Sequence, residues 1–443
     1  MSALWHTAQA LAATRWRSRP GLSRARFERW QAGALARWLA RDLPGVARYR
    51  DMAGAALSDL PVVDKARVMA DFAAFNRGGI TADQGWRALA AGGRIDAVSI
   101  GASTGTSGNR SLYAITLPER GRWLGTIAAH ALPEFPWRAE RVAVILPQSS
   151  ALYDTAARSW RMALRFYSLT EGMEHWLHDL SAFAPTTIVA PPRILRALAE
   201  EAPASLAPRR LFAGAETLDP VDRAVIERRF ERRLGQIYMA SEGLFGVSCA
   251  HGTLHLAEDS TFFEFEAAGG GLVNPVITSF RRSYQIMARY RMNDLIRLSD
   301  TPCPCGSPLR AVAEVAGRMD DVFALPQAGR EVLITPDVMR NAVLDASRAI
   351  TDFRIHQTGP AEVTLILPPD LGGDCAAAAL AALRALIAAR VPGATVLLRR
   401  APLPLRLDRK LRRVERLWPA RPDTGSTGTA GSTGTSCTRG GAT

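Results

Sequence analysis

The sequence predicts an α/β protein with a large N-terminal body of mixed sheets and helices and a small C-terminal α+β domain. The chain has 443 residues, which is too many for one compact core, so two or three domains are expected. Short apolar runs of strand length alternate with segments of helical periodicity, as is typical of α/β proteins. The composition shifts near Gly317, where short strands surround an alanine-rich helix. The expected segments are 1–90, the helical start of the body; 91–317, the rest of the body; 318–420, the small domain; and 421–443, a disordered tail.

Each element of the body has its own signal. Residues 1–90 carry Trp, Leu and Ala at helical spacing, which predicts helices. Residues 95–100 alternate in polarity and predict a strand that ends in a Ser/Thr/Gly loop. The apolar runs at 141–146 and 187–190 predict short buried strands. Apolar residues at helical spacing predict a helix over 221–234, whose arginine-rich opposite face is expected to be solvated.

The C-terminal part is expected to be shorter and simpler. Strands are predicted at 361–367 and 394–398, with a helix over 374–390 between them. Residues 421–443 are Gly, Ser and Thr repeats with almost nothing to bury, and this composition predicts disorder.

The charge balance limits the partners of the chain. There are 55 basic and 42 acidic side chains, a net charge of +13. Such a balance can indicate nucleic acid, but the arginines are scattered, so no nucleic-acid partner is expected. No apolar run reaches the roughly 18 to 20 residues of a membrane span, and the N-terminus lacks a signal-peptide pattern. We therefore expect a cytoplasmic protein without a membrane span, and a homodimer is left open.

Lysine is nearly absent from the chain. Only two of the 55 basic residues are lysines, Lys65 and Lys410. An ammonium is a compact point charge that arginine cannot always replace, so each lysine is a candidate functional residue. For Lys65, chance survival is the alternative interpretation.

The Ser/Thr/Gly loop that follows the strand at 95–100 is a candidate phosphate-binding loop. Glycine lets the backbone approach a ligand closely, and amides and hydroxyls donate hydrogen bonds to phosphate. The string Ser-Thr-Gly-Thr also occurs at 426–429 and 432–435, so the motif alone is weak. Only the first copy lies between a strand and another ordered stretch, residues 111–116, and this context selects it. The candidate residues are Ser103, Thr104, Gly105, Thr106, Ser107 and Gly108.

Five further motifs follow this loop along the chain. They are Ala213-Gly214-Ala215-Glu216, Tyr238-Met239-Ala240-Ser241-Glu242-Gly243, Tyr290-Arg291-Met292-Asn293-Asp294, Gly317-Arg318-Met319-Asp320-Asp321 and the segment around Lys410. Together with the loop they resemble the adenylate-forming superfamily of acyl- and aryl-CoA synthetases, over roughly residues 55–417. Within it, the chain is most similar to the phenylacetate-CoA ligase branch, near the synthetase that adenylylates the deazaflavin coenzyme of methanogens. Two departures are Asn109-Arg110 after the loop, where the family has lysine, and Arg409 in place of glycine.

The resemblance implies an ATP site in the body. It implies that the loop binds phosphate, that the turn at 214–216 borders the adenine and that Tyr238 stacks on it. Ser241 belongs to the same motif as Glu242, which would bind Mg²⁺, and Asp294 would hold the ribose hydroxyls.

The resemblance also implies a mobile small domain. Arg318 would approach the ribose, Asp320 would be the pivot of the domain rotation, and Lys410 would be the adenylation lysine. The chemistry agrees with a lysine, because carboxylate attack on the α-phosphorus depends on positioning and charge stabilisation.

A cysteine cluster predicts a structural zinc site. The turn at 303–306 reads Cys-Pro-Cys-Gly, and Cys249, His251 and His255 lie upstream. Three thiolates and one imidazole would close a tetrahedral zinc site. Some members of the phenylacetate-CoA ligase branch carry such a site, and the similarity of stretch 252–255 to theirs favours His255 over His251. A metal-free cysteine turn is the other interpretation. The expected ligands are Cys249, His255, Cys303 and Cys305.

The function implied by the resemblance is ATP-dependent adenylation of an aryl or fatty carboxylic acid, with release of pyrophosphate and transfer to coenzyme A. The cofactors would be ATP, Mg²⁺, coenzyme A and a structural Zn²⁺. Two alternatives are an adenylyltransferase that leaves AMP on a coenzyme-like product and a non-catalytic basic binding protein on the same fold. The acid is expected between the aromatic segment 135–137, Leu152-Tyr153 and the turns at 214–242, although core packing explains these aromatics equally well.

Overall fold

The computed structural model describes residues 3–103, 110–147, 161–404 and 410–418. Three sequence predictions fall outside these ranges: loop residues 104–108, the segment Leu152-Tyr153 and the disordered tail. Helices α1–α10 span Ala3–Ser18, Arg24–Arg41, Lys65–Ala70, Ala82–Ala90, Leu117–Ala131, Met173–Phe183, Pro192–Glu201, Pro220–Phe230, Pro336–Ala346 and Gly373–Ala388.

The strands are numbered in chain order. Strands β1–β10 span Arg94–Ile95, Val98–Ala102, Leu112–Thr116, Glu140–Leu146, Met162–Ser168, Thr187–Ala190, Arg210–Gly214, Leu234–Ala240, Gly243–Ser248 and Leu254–Leu256. Strands β11–β21 span Phe262–Gly269, Leu272–Thr278, Tyr290–Arg291, Asp294–Leu298, Ala311–Arg318, Phe323–Gln327, Arg330–Ile334, Arg354–Gly359, Glu362–Leu367, Thr395–Arg400 and Val414–Arg416.

One large mixed sheet forms the centre of the body. Its strand order is β11-β12-β14-β15-β10-β9-β8-β7-β6-β4-β5, and β13 pairs with β12. The pairs from β5 through β4, β6 and β7 to β8 are parallel, whereas β8 and β9 are antiparallel. The chain leaves β4 on one side for β5 and returns on the other for β6, so the strand order reverses next to β4. Such a reversal opens a crevice at the carboxyl ends of the strands.

The N-terminal region is helical, as its periodicity predicts. Helix α1 packs closely on α5. A Cβ added at Gly125 of α5 would lie only 2.2 Å from the carbonyl oxygen of Thr7 in α1, so the contact leaves no room for a side chain there. A second sheet, β1-β2-β3, lies between α4 and α5 in the chain. Its strands β2 and β3 flank the candidate phosphate-binding loop, and the ordered stretch predicted after the loop is confirmed. The single strand predicted at 95–100 is wrong, because β1 and β2 form a hairpin that turns at Asp96, where φ is 50°. An alternating pattern suits either strand of a tight hairpin and does not reveal the turn.

The C-terminal part has its own sheet and its own hydrophobic core. The sheet order is β20-β19-β18-β21, and α9 and α10 pack beside it around buried Phe323, Phe353 and Leu383. The predicted strands and the alanine-rich helix are confirmed with shifts of one or two residues.

One predicted helix is too long. The structure ends α8 at Phe230, and Glu231 adopts a left-handed conformation with a φ of 50°. Leu234, which the helical pattern included, begins β8 instead. Periodicity cannot separate the two, because an apolar residue suits either a helix face or a buried strand.

Candidate functional site

A cavity of about 1040 Å³ lies at the carboxyl ends of the parallel strands, where the strand order reverses. Leu146 at the end of β4, Pro191 after β6, Gly214 at the end of β7 and Ala240 at the end of β8 all line it. The C-terminal part of the chain covers the same cavity, since Lys410 also lines it. A cavity of this size can hold a nucleotide and a small acid.

The sequence-predicted ligand residues converge on this cavity. Among the described residues, every one that was expected to bind ATP, Mg²⁺ or the reacting groups lines it. They are Ser103, Gly214, Ala215, Glu216, Tyr238, Ser241, Glu242, Asp294, Arg318, Asp320 and Lys410.

A chain of hydrogen bonds connects Ser103, the first residue of the candidate phosphate-binding loop, to Glu242. The backbone N–H of Ser111 donates to Oγ of Ser103 at 2.8 Å, and the N–H of Ser103 donates to the carbonyl oxygen of Ser111 at 2.8 Å. Oγ of Ser111 lies 3.0 Å from Oγ of Ser241, which donates to Oε2 of Glu242 at 2.8 Å. Tyr290 donates to the other oxygen, Oε1, at 2.8 Å. The buried Glu242 carboxylate is therefore held in one orientation beside the loop.

Asp294 and Tyr238 form a second fixed pair. The hydroxyl of Tyr238 donates to Oδ2 of Asp294 at 2.8 Å. Burial raises the pKa of Asp294, and the Tyr238 hydrogen bond and the Arg318 charge act in the opposite direction. Asn274 supports the segment, because its Nδ2 donates to the carbonyl oxygens of Met292 and Asp294 at 2.8 Å each.

The segment after β15 passes along the edge of the cavity. Gly317 has a φ of 150°, and a Cβ there would lie 3.1 Å from Pro336, so this position favours glycine. Arg318 donates from Nη2 to Oδ2 of Asp320 at 3.1 Å, and Asn293 donates to the same oxygen. The two residues expected to act at the hinge therefore contact each other.

Lys410 approaches the body from the C-terminal part. Burial lowers the pKa of Lys410, whereas the carboxylates of Glu216, Asp294 and Glu242 act to raise it. Glu216 itself is buried, forms an ion pair of 2.9 Å with Arg193 and accepts a hydrogen bond from the N–H of Leu411. The turn at 214–216 therefore touches the lysine segment directly.

Ion pairs made by the residues after Lys410 hold the lysine segment in position. Arg412 pairs with Asp321, next to the expected pivot. Arg413 is buried and donates to Asp219 and Asp222 of the body, and its Nε donates to Asp352 of the C-terminal part at 3.0 Å. Sequence reasoning did not identify Arg413, because its partners in the body lie more than 190 residues away.

The cysteine cluster forms a compact group away from the cavity. The candidate ligand atoms of the four residues all lie within 4.8 Å of one another. Sγ of Cys249 is 3.7 Å from Sγ of Cys303, and Sγ of Cys305 is 3.3 Å from Nε2 of His255. Two thiolates on tetrahedral zinc, each about 2.3 Å from the metal, would lie about 3.8 Å apart. The donor set therefore fits zinc.

His255 is oriented for metal binding. Its Nδ1 lies 3.0 Å from the carbonyl oxygen of Leu309, so a proton on Nδ1 leaves Nε2 as the donor to a metal. The carbonyl oxygen of His251 instead accepts a hydrogen bond from Arg233. The geometry favours His255, the preferred residue of the two.

Comparison with known proteins identifies the fold. No protein-family model matches the chain. Protein CapK of Staphylococcus aureus is 22% identical over 175 residues, a match that covers 38% of this chain and 39% of CapK. A crystal structure of 2-hydroxyisobutyryl-CoA ligase in the postadenylation state with 2-HIB-AMP has a TM-score of 0.66 and 18% identity, covering 90% of this chain and 91% of that chain. The acyl acid amido synthetase GH3.15 has a TM-score of 0.50 and 13% identity, covering 82% and 83%.

The fold is that of 2-hydroxyisobutyryl-CoA ligase. The predicted mixed α/β architecture is therefore confirmed. That ligase has also been solved in an open conformation with 2-HIB-AMP and CoA, and this structure has a TM-score of 0.59. In the described ranges of the chain, none of the helices has both the length and the apolar composition of a membrane span.

The predicted acid pocket needs a correction. The aromatic segment 135–137 does not line the cavity: Phe135 packs against the core around α5, and 81% of Trp137 is exposed. The physical reason is that this segment precedes β4 and so lies at the amino end of the strand, opposite the cavity. The aromatic residues that do line the cavity include Tyr113 of β3 and Trp123 of α5.

Proposed function

We propose that the protein activates a carboxylic acid with ATP, forming an acyl-adenylate and pyrophosphate, and then transfers the acyl group to coenzyme A. The observation that carries the proposal is the convergence of Glu242, Asp294 and Arg318 with Lys410 of the C-terminal part on one cavity of an adenylate-forming fold. Within that fold, we further propose a function like that of the phenylacetate-CoA ligases.

The first step needs positive charge and orientation more than proton transfer. A carboxylate oxygen of the acid would attack the α-phosphorus, and the bond from that phosphorus to the bridging oxygen would break, leaving pyrophosphate. Lys410 is suited to hold the carboxylate and the α-phosphate together, because its ammonium faces Glu216 and Asp294, where the nucleoside would lie. Glu242, with both oxygens already oriented by Ser241 and Tyr290, would hold Mg²⁺, which neutralises phosphate charge when bound.

The second step would attach a thiol. The sulfur of coenzyme A would attack the acyl carbon, AMP would leave, and the thiol proton would pass to solvent. The aromatic and aliphatic lining by Tyr113, Ile115, Trp123 and Leu146 supports an aryl or fatty acyl group as the substrate.

Carboxylate-dependent exchange of labelled pyrophosphate into ATP tests the proposal. A panel of aryl and fatty acids should contain at least one that supports exchange, and adding coenzyme A should then yield the thioester. An AMP-bearing final product without thioester would favour the adenylyltransferase instead. Absence of exchange with every acid, together with no binding of ATP, would reject the enzyme assignment.

A further inference from the structure

Both lysines of the chain line the same cavity. All but two of the 55 basic residues are arginines, and the two exceptions, Lys65 and Lys410, come from opposite ends of the sequence. Lys410 has a proposed role in adenylation. Lys65, the first residue of α3, has none so far.

Lys65 lies between the base of the phosphate loop and the hinge segment. It shares a small second cavity with Ser111, Ser241 and Glu242, the residues that support the loop and orient the carboxylate. The charges that act on it belong to Glu242, Arg318, Asp320 and Lys410, and burial lowers the pKa of Lys65. Lys65 is therefore placed on the side of the site that holds Ser111, Ser241 and Glu242.

Several arginines around the cavity are already matched by carboxylates. Ion pairs join Arg291 to Glu266 at 2.6 Å, Arg340 to Glu314, Arg412 to Asp321 and Arg413 to Asp222 at 2.7 Å. The charge of these guanidinium groups is offset within the protein. The carboxylate near Lys65 is that of Glu242, which would itself bind Mg²⁺, so phosphate oxygens on that Mg²⁺ would also lie near Lys65.

We propose that Lys65 binds the β- and γ-phosphates of ATP and stabilises the departing pyrophosphate. The inference rests on the proposed function. When the bond between the α-phosphorus and the bridging oxygen breaks, its electron pair goes to that oxygen, and the positive charge of Lys65 offsets the gained negative charge without proton transfer. The two lysines would then bind different parts of the triphosphate: Lys410 the α-phosphate, and Lys65 the β- and γ-phosphates.

Measurements of nucleotide affinity test the proposed role of Lys65, and they do not require the acid substrate to be known. Isothermal titration calorimetry with ATP and with AMP, both with Mg²⁺, would compare the wild type, Lys65→Ala and Lys65→Met. We expect ATP affinity to fall roughly 10- to 100-fold in both variants, as for the loss of one hydrogen bond to a charged group, while AMP affinity stays unchanged. Arg67→Ala, an exposed arginine of the same helix that does not line the cavity, is the matched control and should bind both nucleotides normally.

The outcomes separate the two proposals. Equal ATP affinity in wild type and both Lys65 variants would overturn the role of Lys65 but leave the proposed function intact. An equal loss of ATP and AMP affinity would also overturn it, since the contact would then not be specific to the outer phosphates. A wild-type protein that binds neither nucleotide would reject the proposed function itself. The Met variant preserves side-chain bulk, and circular dichroism verifies that each variant is folded.

Discussion

Nη1 of Arg413 donates a hydrogen bond of 2.7 Å to Oδ2 of Asp222, and this buried contact joins the lysine segment to the first turn of α8. Asp219 and Asp352 accept from the same guanidinium group. Arg413 follows Lys410 by three residues, so the position of the lysine depends on this contact. Removing the arginine would take one cationic partner from each carboxylate, since Asp222 also pairs with Arg196 at 3.0 Å and Asp219 with Arg340 at 3.5 Å.

We therefore predict that Arg413→Met separates the C-terminal part from the body. The loss of one of two cationic partners costs at most about 3 to 5 kcal/mol, the cost of a fully broken buried charge pair, and undocking lets the carboxylates regain water instead. Small-angle scattering should show a larger radius of gyration, and pyrophosphate exchange should fall at least as far as in a variant of Lys410. Arg390→Ala, an exposed arginine of the same part, should behave like the wild type. An unchanged radius with full activity would show that the contact does not hold the closed arrangement.

Lys410 itself should control the adenylation step and its pH dependence. Lys410→Ala should lower pyrophosphate exchange roughly 10²- to 10³-fold, the usual effect of losing one charge-stabilising contact, while AMP still binds. Because burial lowers the pKa of Lys410, exchange by the wild type should decline on the alkaline side below the ordinary lysine value of about 10.4. Any activity left in Lys410→Arg should lack this decline, since arginine keeps its charge. A decline that is identical in both proteins would assign it to another group.

The cysteine cluster predicts about one zinc per chain in metal analysis of purified protein. Cys305→Ser should lose the metal and lower the melting temperature by at least several degrees, because metal binding to a closed site contributes to folding stability. Cys375→Ser is the matched control, since its thiol contacts Ser347 and lies outside the cluster. A fully folded, metal-free wild type would end the zinc hypothesis.

The sequence allowed prediction of the candidate site better than of its surroundings. Glu242, Asp294 and Lys410 belong to short motifs that can be recognised, in their order, from the sequence alone. All three line one cavity in the fold. Lys65 stood out as a rare residue within a Pro-x-x-x-Lys segment of the resembled branch, but its place in the site was not predictable, because its neighbours come from distant motifs that no periodicity connects. Arg413 had no signal at all among so many arginines, since only the fold shows which of them meets carboxylates.

The errors have a common physical origin. Trp137 was expected in the acid pocket because aromatic side chains often line such pockets, yet its segment lies at the amino end of β4. Leu234 was assigned to a helix because it fits the helical repeat, yet it begins a buried strand. Local patterns report how apolar a residue is, whereas the end of the sheet at which it lies depends on strand order.

We predict that the stability of the fold is sensitive to acid through Asp259, which does not line the cavity. Its carboxylate is fully buried, and it accepts a hydrogen bond of 2.6 Å from Thr14 of α1. Burial acts to raise the pKa of Asp259, but the hydrogen bond with His130 and the charges of His130 and Arg281 lower it to about 2. The charged form therefore holds α1 and α5 onto the body.

The pH window for Asp259 follows from the direction of this shift. Since the pKa in the fold lies below the roughly 3.9 of an unfolded chain, the carboxylate stabilises the fold fully above about pH 4, and this contribution disappears as the pH falls towards 2. Its size is about 2 to 3 kcal/mol. At neutral pH, Asp259→Asn should thus have a lower melting temperature than the wild type when unfolding is followed by circular dichroism. The difference between the two melting temperatures should narrow from about pH 4 downward. Asp370→Asn, at an exposed turn position, should show no such difference, and a difference for Asp259→Asn that widens in acid would contradict the assignment.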